Sequence, residues 1–210
     1  MSSRGGDSRV IIWVWLFAGL LIVLIAGWLL LSTLQPAGPE IFPTLNSSDV
    51  IEAPNGHAYQ YVAAPNIAWD MARAEAARRT FNGRHGYLAT MDDRAEFDFV
   101  MQKVFPDDTD VTYLGGRQTA PGEWRWVTGP DGLADGGKGK LFWQGVETGA
   151  MPPGGYANWM PTAFQHGGKW DLAKVCCVSL FSYGIPQFST SLGSGDADEH
   201  VAGYLVEFSH

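Results

Sequence analysis

The chain has 210 residues, of which 46% are hydrophobic, and a formal net charge of −8 at pH 7. This length accommodates one domain of about 150 residues and an appendage. The charge excludes a protein that binds nucleic acid through a basic surface, because an acidic chain is repelled by the phosphate backbone.

The first predicted element is a transmembrane helix over Val10–Leu34. No residue in this range is charged, and at 1.5 Å per residue it gives about 37 Å of helix, enough to cross a bilayer. A cleaved signal peptide is the competing interpretation, but its apolar region would be about 7–15 residues and would end at small residues. Gly19 and Ala26 lie on nearly the same helix face and could pack against another helix, or could simply face lipid.

Charges on either side of this segment predict its orientation. Two basic residues precede it and three acidic residues follow it: Arg4 and Arg9, against Glu40, Asp49 and Glu52. The positive-inside rule therefore places residues 1–9 in the cytoplasm and exports the rest. We expect a single-pass protein of the cytoplasmic (inner) membrane, with a Pro- and Ser-bearing linker at 35–52 and an extracytoplasmic or periplasmic domain at 53–210.

The exported domain opens with a strand and a helix. Asn55–Val62 reads as the strand, and Pro65–Arg79 as a helix capped by Asn66. The helix places three apolar residues on one face: Trp69, Ala72 and Ala76. Such a short amphipathic helix should cover one face of a sheet.

A second helix is predicted after Gly86–Thr90. Asp93 and Glu96 have the spacing of a capping box, with Asp in place of the usual Ser or Thr. The apolar residues after them recur at i, i+3, i+4 and i+7: Phe97, Val100, Met101 and Val104. This helix should cover a sheet as well.

Tyr113–Pro130 couples two strand patterns through a short loop. Trp124, Trp126 and Thr128 alternate with other residues at the period of two that is typical of a half-buried strand. Alone, the segment is equally an ordinary β-hairpin with aromatic cross-strand pairs. Three further segments follow it: an aromatic one at Tyr156–Trp159, an apolar one at Val175–Leu180 and a closing strand at Gly203–Phe208.

In this order, the segments resemble the C-type lectin-like domain over residues 53–210. Tyr113–Gly116 stands where that family has its Trp-Ile-Gly motif, Trp124–Trp126 matches the next strand, and Asn158–Trp159 matches the tryptophan of the long loop. The resemblance implies an α+β fold with two helices packed on antiparallel sheets and a long loop region. It is closest to the bacterial, disulfide-poor members.

The only two cysteines are the neighbours Cys176 and Cys177. On a strand they would point to opposite faces, and a bond between neighbours needs a strained geometry, so we expect both to be free. The family usually closes a disulfide from this strand to the loop before the final strand. No cysteine lies between Phe188 and Gly203 to receive one.

Calcium-dependent sugar binding in this family typically uses a Glu-Pro-Asn or Gln-Pro-Asp triplet and a Trp-Asn-Asp strand, which supply oxygen ligands to the ion. Here the first position reads Trp-Met-Pro-Thr-Ala-Phe-Gln-His over 159–166, and the second reads Gln-Phe-Ser-Thr over 187–190. This departure predicts a calcium-independent protein with no metal and no cofactor.

Two clusters of acidic residues could bind a cation, although a solvated loop or turn is the simpler interpretation. They are Asp196, Asp198 and Glu199, and Asp107, Asp108 and Asp110. A catalytic Cys–His pair would need either cysteine to meet His166 or His200 in space. The resemblance to the formylglycine-generating enzymes is weaker, because those chains are longer and use cysteines that lie apart in sequence. The histidines have no metal-ligand spacing and the serines lie in no nucleophile motif, so we expect no enzyme activity.

The long loop, from residue 131 to about 174, is where we expect binding. Its aromatic residues should partly fill the core, Trp159 first, and partly form a contact patch with a polar rim. The predicted contact residues are Phe142, Trp143, Tyr156, Phe164, Gln165, His166, Trp170 and Asp171. A loop that folds on itself and binds nothing is the alternative.

These patterns together predict a membrane-anchored interaction module. It would contact another envelope or membrane protein, because a short tether raises its effective concentration toward neighbours in the same membrane. Carbohydrate recognition by a non-standard site is the second interpretation, and an enzyme of the formylglycine-generating type is the third.

Overall fold

The computed structural model of the chain describes residues 49–105, 111–146, 148–164, 176–181, 187–194 and 200–210. No helix within these ranges is long and apolar enough to cross a bilayer. The predicted transmembrane segment, with Gly19 and Ala26, lies outside them. Both predicted acidic groups lie outside them as well.

The described elements begin with short strands and two helices. They are β1 (Ile51–Glu52), β2 (Ala58–Ala63), α1 (Trp69–Ala77), β3 (Thr80–Phe81), β4 (Arg84–Leu88) and α2 (Arg94–Lys103). The sheet then continues with β5 (Val111–Ala120), β6 (Glu123–Trp126), a 3-10 turn (Pro130–Leu133), α3 (Ala134–Gly137) and β7 (Lys140–Gln144). It closes with β8 (Cys177–Phe181), β9 (Gln187–Ser191) and β10 (Val201–Phe208). The third helix, four residues long, was not predicted.

The closing strand β10 lies at the centre of the sheet. Its partner on one side is β2, with Leu205 opposite Tyr61, and on the other side it pairs with β4 and β5. The pairing with β5 is parallel, with Tyr204 opposite Tyr113, so the sheet is mixed and not antiparallel throughout as predicted. Because both edges of β10 are paired, nearly all of its residues are buried.

The two predicted helices cover different apolar clusters. One cluster contains Tyr113 of β5 together with three residues of α1: Trp69, Ala72 and Ala76. The other cluster contains Leu114, the next residue of β5, together with Phe97 of α2. Successive residues of a strand point to opposite faces, so the two helices belong to opposite faces of the sheet. The predicted apolar faces of both helices are therefore confirmed.

The predicted N-cap residue is correct for α2 and wrong for α1. Asp93 caps α2, and its Oδ1 accepts a hydrogen bond from the Glu96 backbone at 2.8 Å, as predicted. Asn66 does not cap α1, which begins at Trp69 after Ala68, a residue with no side-chain cap. Instead Asn66 has φ 60°, and its backbone N–H donates to the Val201 carbonyl at 2.9 Å. Pairing with β10 thus holds this residue outside the helix.

The Tyr113–Pro130 segment forms the β5–β6 hairpin as predicted, with Gly116 opposite Trp126. Trp124 and Trp126 are fully buried. A Cβ on Gly115 would lie 1.9 Å from Thr128 Oγ1 and 2.5 Å from the Leu88 carbonyl oxygen. Glycine is therefore required here because β5 passes directly over a neighbouring backbone.

Cys176 and Cys177 are bonded to each other, so the prediction of two free cysteines is wrong. The prediction of opposite faces fails too, since both sulfur atoms lie beside Gly193, where a Cβ would come within 3.0 Å of each. Cys176 precedes the first residue of β8. The alternation of a strand therefore does not direct its side chain.

Candidate functional site

The long loop contains an unexpected strand, β7, which pairs with β6 and places Trp124 opposite Trp143. This pairing turns Phe142 inward, where it stacks on Trp126 with ring centres 4.2 Å apart. Phe142 is fully buried, and Phe164 is only 3% exposed. Both were predicted as contact residues; in the structure their side chains pack in the core, and their contact with a partner stays a prediction.

Trp159 connects the loop to the core, as expected for the first loop aromatic to be buried. Its ring centre lies 4.8 Å from that of Phe164 and 5.4 Å from that of Trp124. It also forms a parallel bridge with Phe188 of β9. Trp159 as a whole residue is nevertheless only partly buried.

A cleft of about 300 Å³ lies beside Trp159. It is lined by Trp143, Ala157, Asn158, Trp159, Met160, Pro161 and Phe164. The Nε1 atoms of Trp143 and Trp159 are buried and have no hydrogen-bond acceptor among the described residues. A cleft lined by two partly buried tryptophans and an asparagine can bind a flat apolar surface.

Four of the predicted contact residues lie outside the described part of the chain: Gln165, His166, Trp170 and Asp171. Tyr156 is described and partly buried, with its ring 6.0 Å from Phe97 and from Phe188. Burial raises the pKa of its phenol to about 12. Trp143 and Tyr156 are thus the predicted contact residues that the structure leaves at a surface.

A second cluster is polar, and sequence reasoning missed it. His57, Glu96 and Glu207 come from the β1–β2 loop, α2 and β10, and their ligand atoms lie within 4.8 Å of one another. His57 Nδ1 is 2.8 Å from Glu207 Oε1 and 3.6 Å from Glu96 Oε1. Glu96 is 7% exposed and Glu207 only 1%. We call these three residues the buried acid cluster.

Other side chains complete the hydrogen bonds of this cluster. Tyr87 donates its hydroxyl to Glu207 Oε1 at 2.7 Å, and the Thr90 amide donates to Oε2 at 3.0 Å. The Tyr59 hydroxyl donates to Glu96 Oε1, while the Asp92 amide donates to Oε2 at 2.6 Å. One imidazole and two carboxylates are ligands that could hold a metal ion. In this structure the same atoms form hydrogen bonds and ion pairs with one another and with their neighbours.

The protonation of the cluster reflects burial and charge. Burial, followed by the negative charge of Glu207, raises the pKa of Glu96 to about 7. The hydrogen bond to Glu207 is the main cause that raises the pKa of His57, although partial burial opposes it. Burial also raises the pKa of Tyr59 and Tyr87 well above the usual range, so both stay hydroxyl donors.

One sequence signal could have located this cluster. Glu207 stands between Val206 and Phe208 in a strand that is otherwise apolar or Gly, and such a carboxylate needs a partner if the strand is central. The partner residues come from 111 to 150 positions earlier in the chain. Spacing along the sequence therefore could not identify them.

Comparisons with known proteins support the fold. No family model matches the chain. Halomucin of Haloquadratum walsbyi (strain DSM 16790 / HBSQ001) is 33% identical over 114 residues, 54% of this chain, and the chain spans about 1% of that protein's length.

Solved C-type lectin structures are similar in fold. The EPNH mutant of CEL-I matches with a TM-score of 0.51 and 13% identity, covering 77% of this chain and 95% of that one. CEL-I from Cucumaria echinata gives 0.45 and 15%, covering 77% and 96%. The human scavenger receptor C-type lectin carbohydrate-recognition domain gives 0.48 and 14%, covering 83% and 100%. The first of these matches shows that the chain has a C-type lectin-like fold.

Proposed function

We propose that this chain is a membrane-anchored, extracytoplasmic binding module that contacts another envelope or membrane protein through its long-loop face. It works without catalysis and without calcium. The Val10–Leu34 segment anchors it in the cytoplasmic membrane, with residues 1–9 in the cytoplasm, as the charge pattern favours. The lectin-like fold supports a binding role, since C-type lectin structures resemble it.

The cleft beside Trp143 and Trp159 is the observation that carries the proposal. Trp143 and Trp159 both line this cleft, and both residues are only partly buried. A protein partner that packs an apolar side chain into the cleft would remove their remaining apolar surface from water. Tryptophan is also among the residues that most often dominate the binding energy of interfaces.

The absence of an enzymatic thiol supports the non-catalytic part of the proposal. Both cysteines are in the Cys176–Cys177 disulfide. A thiolate is the nucleophile in cysteine catalysis, and a disulfide supplies none.

The test is co-purification of the full-length protein in mild detergent. We expect one companion membrane protein with the wild type, much less of it with Trp143→Ala, and the wild-type amount with Met71→Ala. Met71 is a matched control because it is also apolar and 38% exposed, but lies on α1. A clean monomer in every sample would refute the proposal of a membrane partner.

Carbohydrate is the second candidate ligand, favoured by the chemistry of the same cleft. Indole rings stack on sugar faces, and the Asn158 side chain beside them is of a type that bonds hydroxyl groups. Glycan-array binding of the full-length protein in a detergent without sugar headgroups checks this. Binding that is lost in Trp143→Ala, and is indifferent to calcium chelation, would favour a glycan over a protein partner.

A further inference from the structure

A groove with an apolar wall lies between the β1–β2 loop (residues 53–57) and α2. Its volume is about 430 Å³. Ala53 and Pro54 of the loop line it together with Ala95 and Phe99 of α2. Pro54 and Ala95 are exposed and Phe99 is partly buried, so apolar surface in this groove stays in contact with water. We call it the α2 groove.

The charged residues of the α2 groove are acidic. Asp93, Glu96 and Asp98 line it, and no basic residue is among the lining residues that the structure describes. Glu96 faces His57 at 3.6 Å, and Asp98 is paired with Arg94 at 2.8 Å, so Asp93 supplies an excess negative charge. The groove therefore favours an apolar surface that carries a basic residue.

The outward side of α1 has this complementary character. Met71, Ala74 and Ala77 are all exposed, at positions i, i+3 and i+6 on the side of the helix opposite its buried residues. Arg73 is exposed beside them. Both acidic residues of the helix are paired with arginines: Asp70 with Arg117, and Glu75 with Arg78. Arg73 thus gives this surface an excess positive charge, and we call Met71, Arg73, Ala74 and Ala77 the α1 face.

We propose that the α1 face of one copy docks in the α2 groove of a second copy of this chain. An apolar helix face that lies in an apolar groove is a common mode of protein recognition. Docking removes both apolar surfaces from water and brings the excess charge of Arg73 toward that of Asp93.

The fold requires two copies for this contact. The two helices belong to opposite faces of the sheet, because they pack with successive residues of β5. The α1 face of one copy therefore cannot reach the α2 groove of the same copy. The contact is head-to-tail, and a pair keeps one α2 groove and one α1 face for further copies.

This contact goes beyond the proposed function, since it does not use the cleft beside Trp143 and Trp159. It rests on the proposed anchor in one respect. Copies held in one membrane meet at a raised effective concentration, so a weak contact between them is sufficient.

Co-purification of two differently tagged full-length copies in mild detergent tests the contact. We expect the second tag to co-elute with the first in the wild type. Ala95→Arg places a cation in the α2 groove, and Met71→Glu places an anion on the α1 face. Each variant alone, carried by both tagged copies, should lower the recovery of the second tag at least about tenfold, because like charges then meet. Ala120→Arg, at the exposed end of β5, is the matched control and should keep the wild-type recovery.

A mixture of the two variants separates docking from misfolding. When an Ala95→Arg copy meets a Met71→Glu copy, the α1 face of the first and the α2 groove of the second are both intact. We therefore expect the mixture to recover the second tag, although neither variant does so alone. A monomeric wild type, or a mixture that stays monomeric, would overturn the proposal.

Trp143→Ala distinguishes this contact from the proposed membrane partner. We expect this variant to lose the companion protein and to keep the pairing of the tagged copies. Met71→Glu should do the reverse. Pairing that is lost in Trp143→Ala and kept in Met71→Glu would overturn the proposal, because the copies would then meet at the cleft.

Discussion

The aromatic core under the long loop and the buried acid cluster stabilise the same domain, but only the acid cluster contains groups that titrate. Trp126, Phe142 and Phe188 lie in contact with ring centres 4.2 to 6.5 Å apart, and none of these rings titrates. The acid cluster depends on the charge of His57 and on the protonation of Glu96. The core therefore contributes nearly the same stability at every pH, whereas the cluster contributes stability that the pH controls.

The largest expected effect comes from the core. Trp126→Ala removes a fully buried indole and should lower the free energy of unfolding by about 3–5 kcal/mol. Urea unfolding at pH 6 and pH 8 measures it, and the loss should be the same at both. Thr119→Ala, at the exposed end of β5, is the control and should change stability by less than about 0.5 kcal/mol.

Glu207→Gln should give the next largest loss, and that loss should depend on pH. Removing one partner from a fully buried ion pair typically costs about 3–5 kcal/mol, and the cost should be smaller here because the His57 side chain is 34% exposed. We expect this cost at pH 6, where His57 is charged, and a smaller one at pH 8, where the substitution also removes repulsion from Glu96. A loss of equal size at both pH values would show that the cluster is no different from the core.

The wild-type protein should itself lose stability as the pH rises. The folded-state pKa of Glu96 is about 7 against 4.5 for the ordinary group. The folded state therefore holds this proton more tightly than the unfolded chain, and stability falls from pH 4.5 to 7 by up to about 3 kcal/mol. The loss of charge on His57 adds to this above pH 6.5. Thermal unfolding from pH 5 to 8.5 measures the fall, which His57→Gln should reduce.

The smallest expected effect on stability is at the N-terminus of α2, the helix that carries Glu96. Asp93→Ala removes a cap bond of 2.8 Å and should cost about 1 kcal/mol. Asp98→Ala breaks an exposed pair with Arg94 and should cost less than about 0.5 kcal/mol. Chemical unfolding at pH 6 compares the two. Equal losses would mean that the cap has no special role in positioning Glu96.

Local sequence patterns predicted most of the scaffold. The alternation of Trp124 and Trp126 predicted the hairpin, and the apolar stripes predicted the buried faces of α1 and α2. Capping chemistry identified the start of α2. Each of these features depends on neighbours within about ten residues, so the chain's own periodicity and turn chemistry are sufficient.

The positions of single loop residues depended on long-range pairing. The alternation of β7 was hidden in a Gly/Pro-rich stretch, so Phe142 was assigned to a surface although pairing with β6 turns it into the core. Asn66 has an ordinary capping residue type, yet β10 fixes its backbone. Cys176 stands just outside β8, so the alternation of that strand does not set the direction of its side chain.

The amino-acid sequence by itself determined the lectin-like order of elements and the two helix faces. It also carries the apolar, uncharged segment on which the proposed anchor rests. Only the tertiary structure decided which residues meet in a site. Glu207 reaches His57 because β10 lies between β2 and β4, and a pairing of strands across 150 positions is set by global packing, which no local pattern encodes.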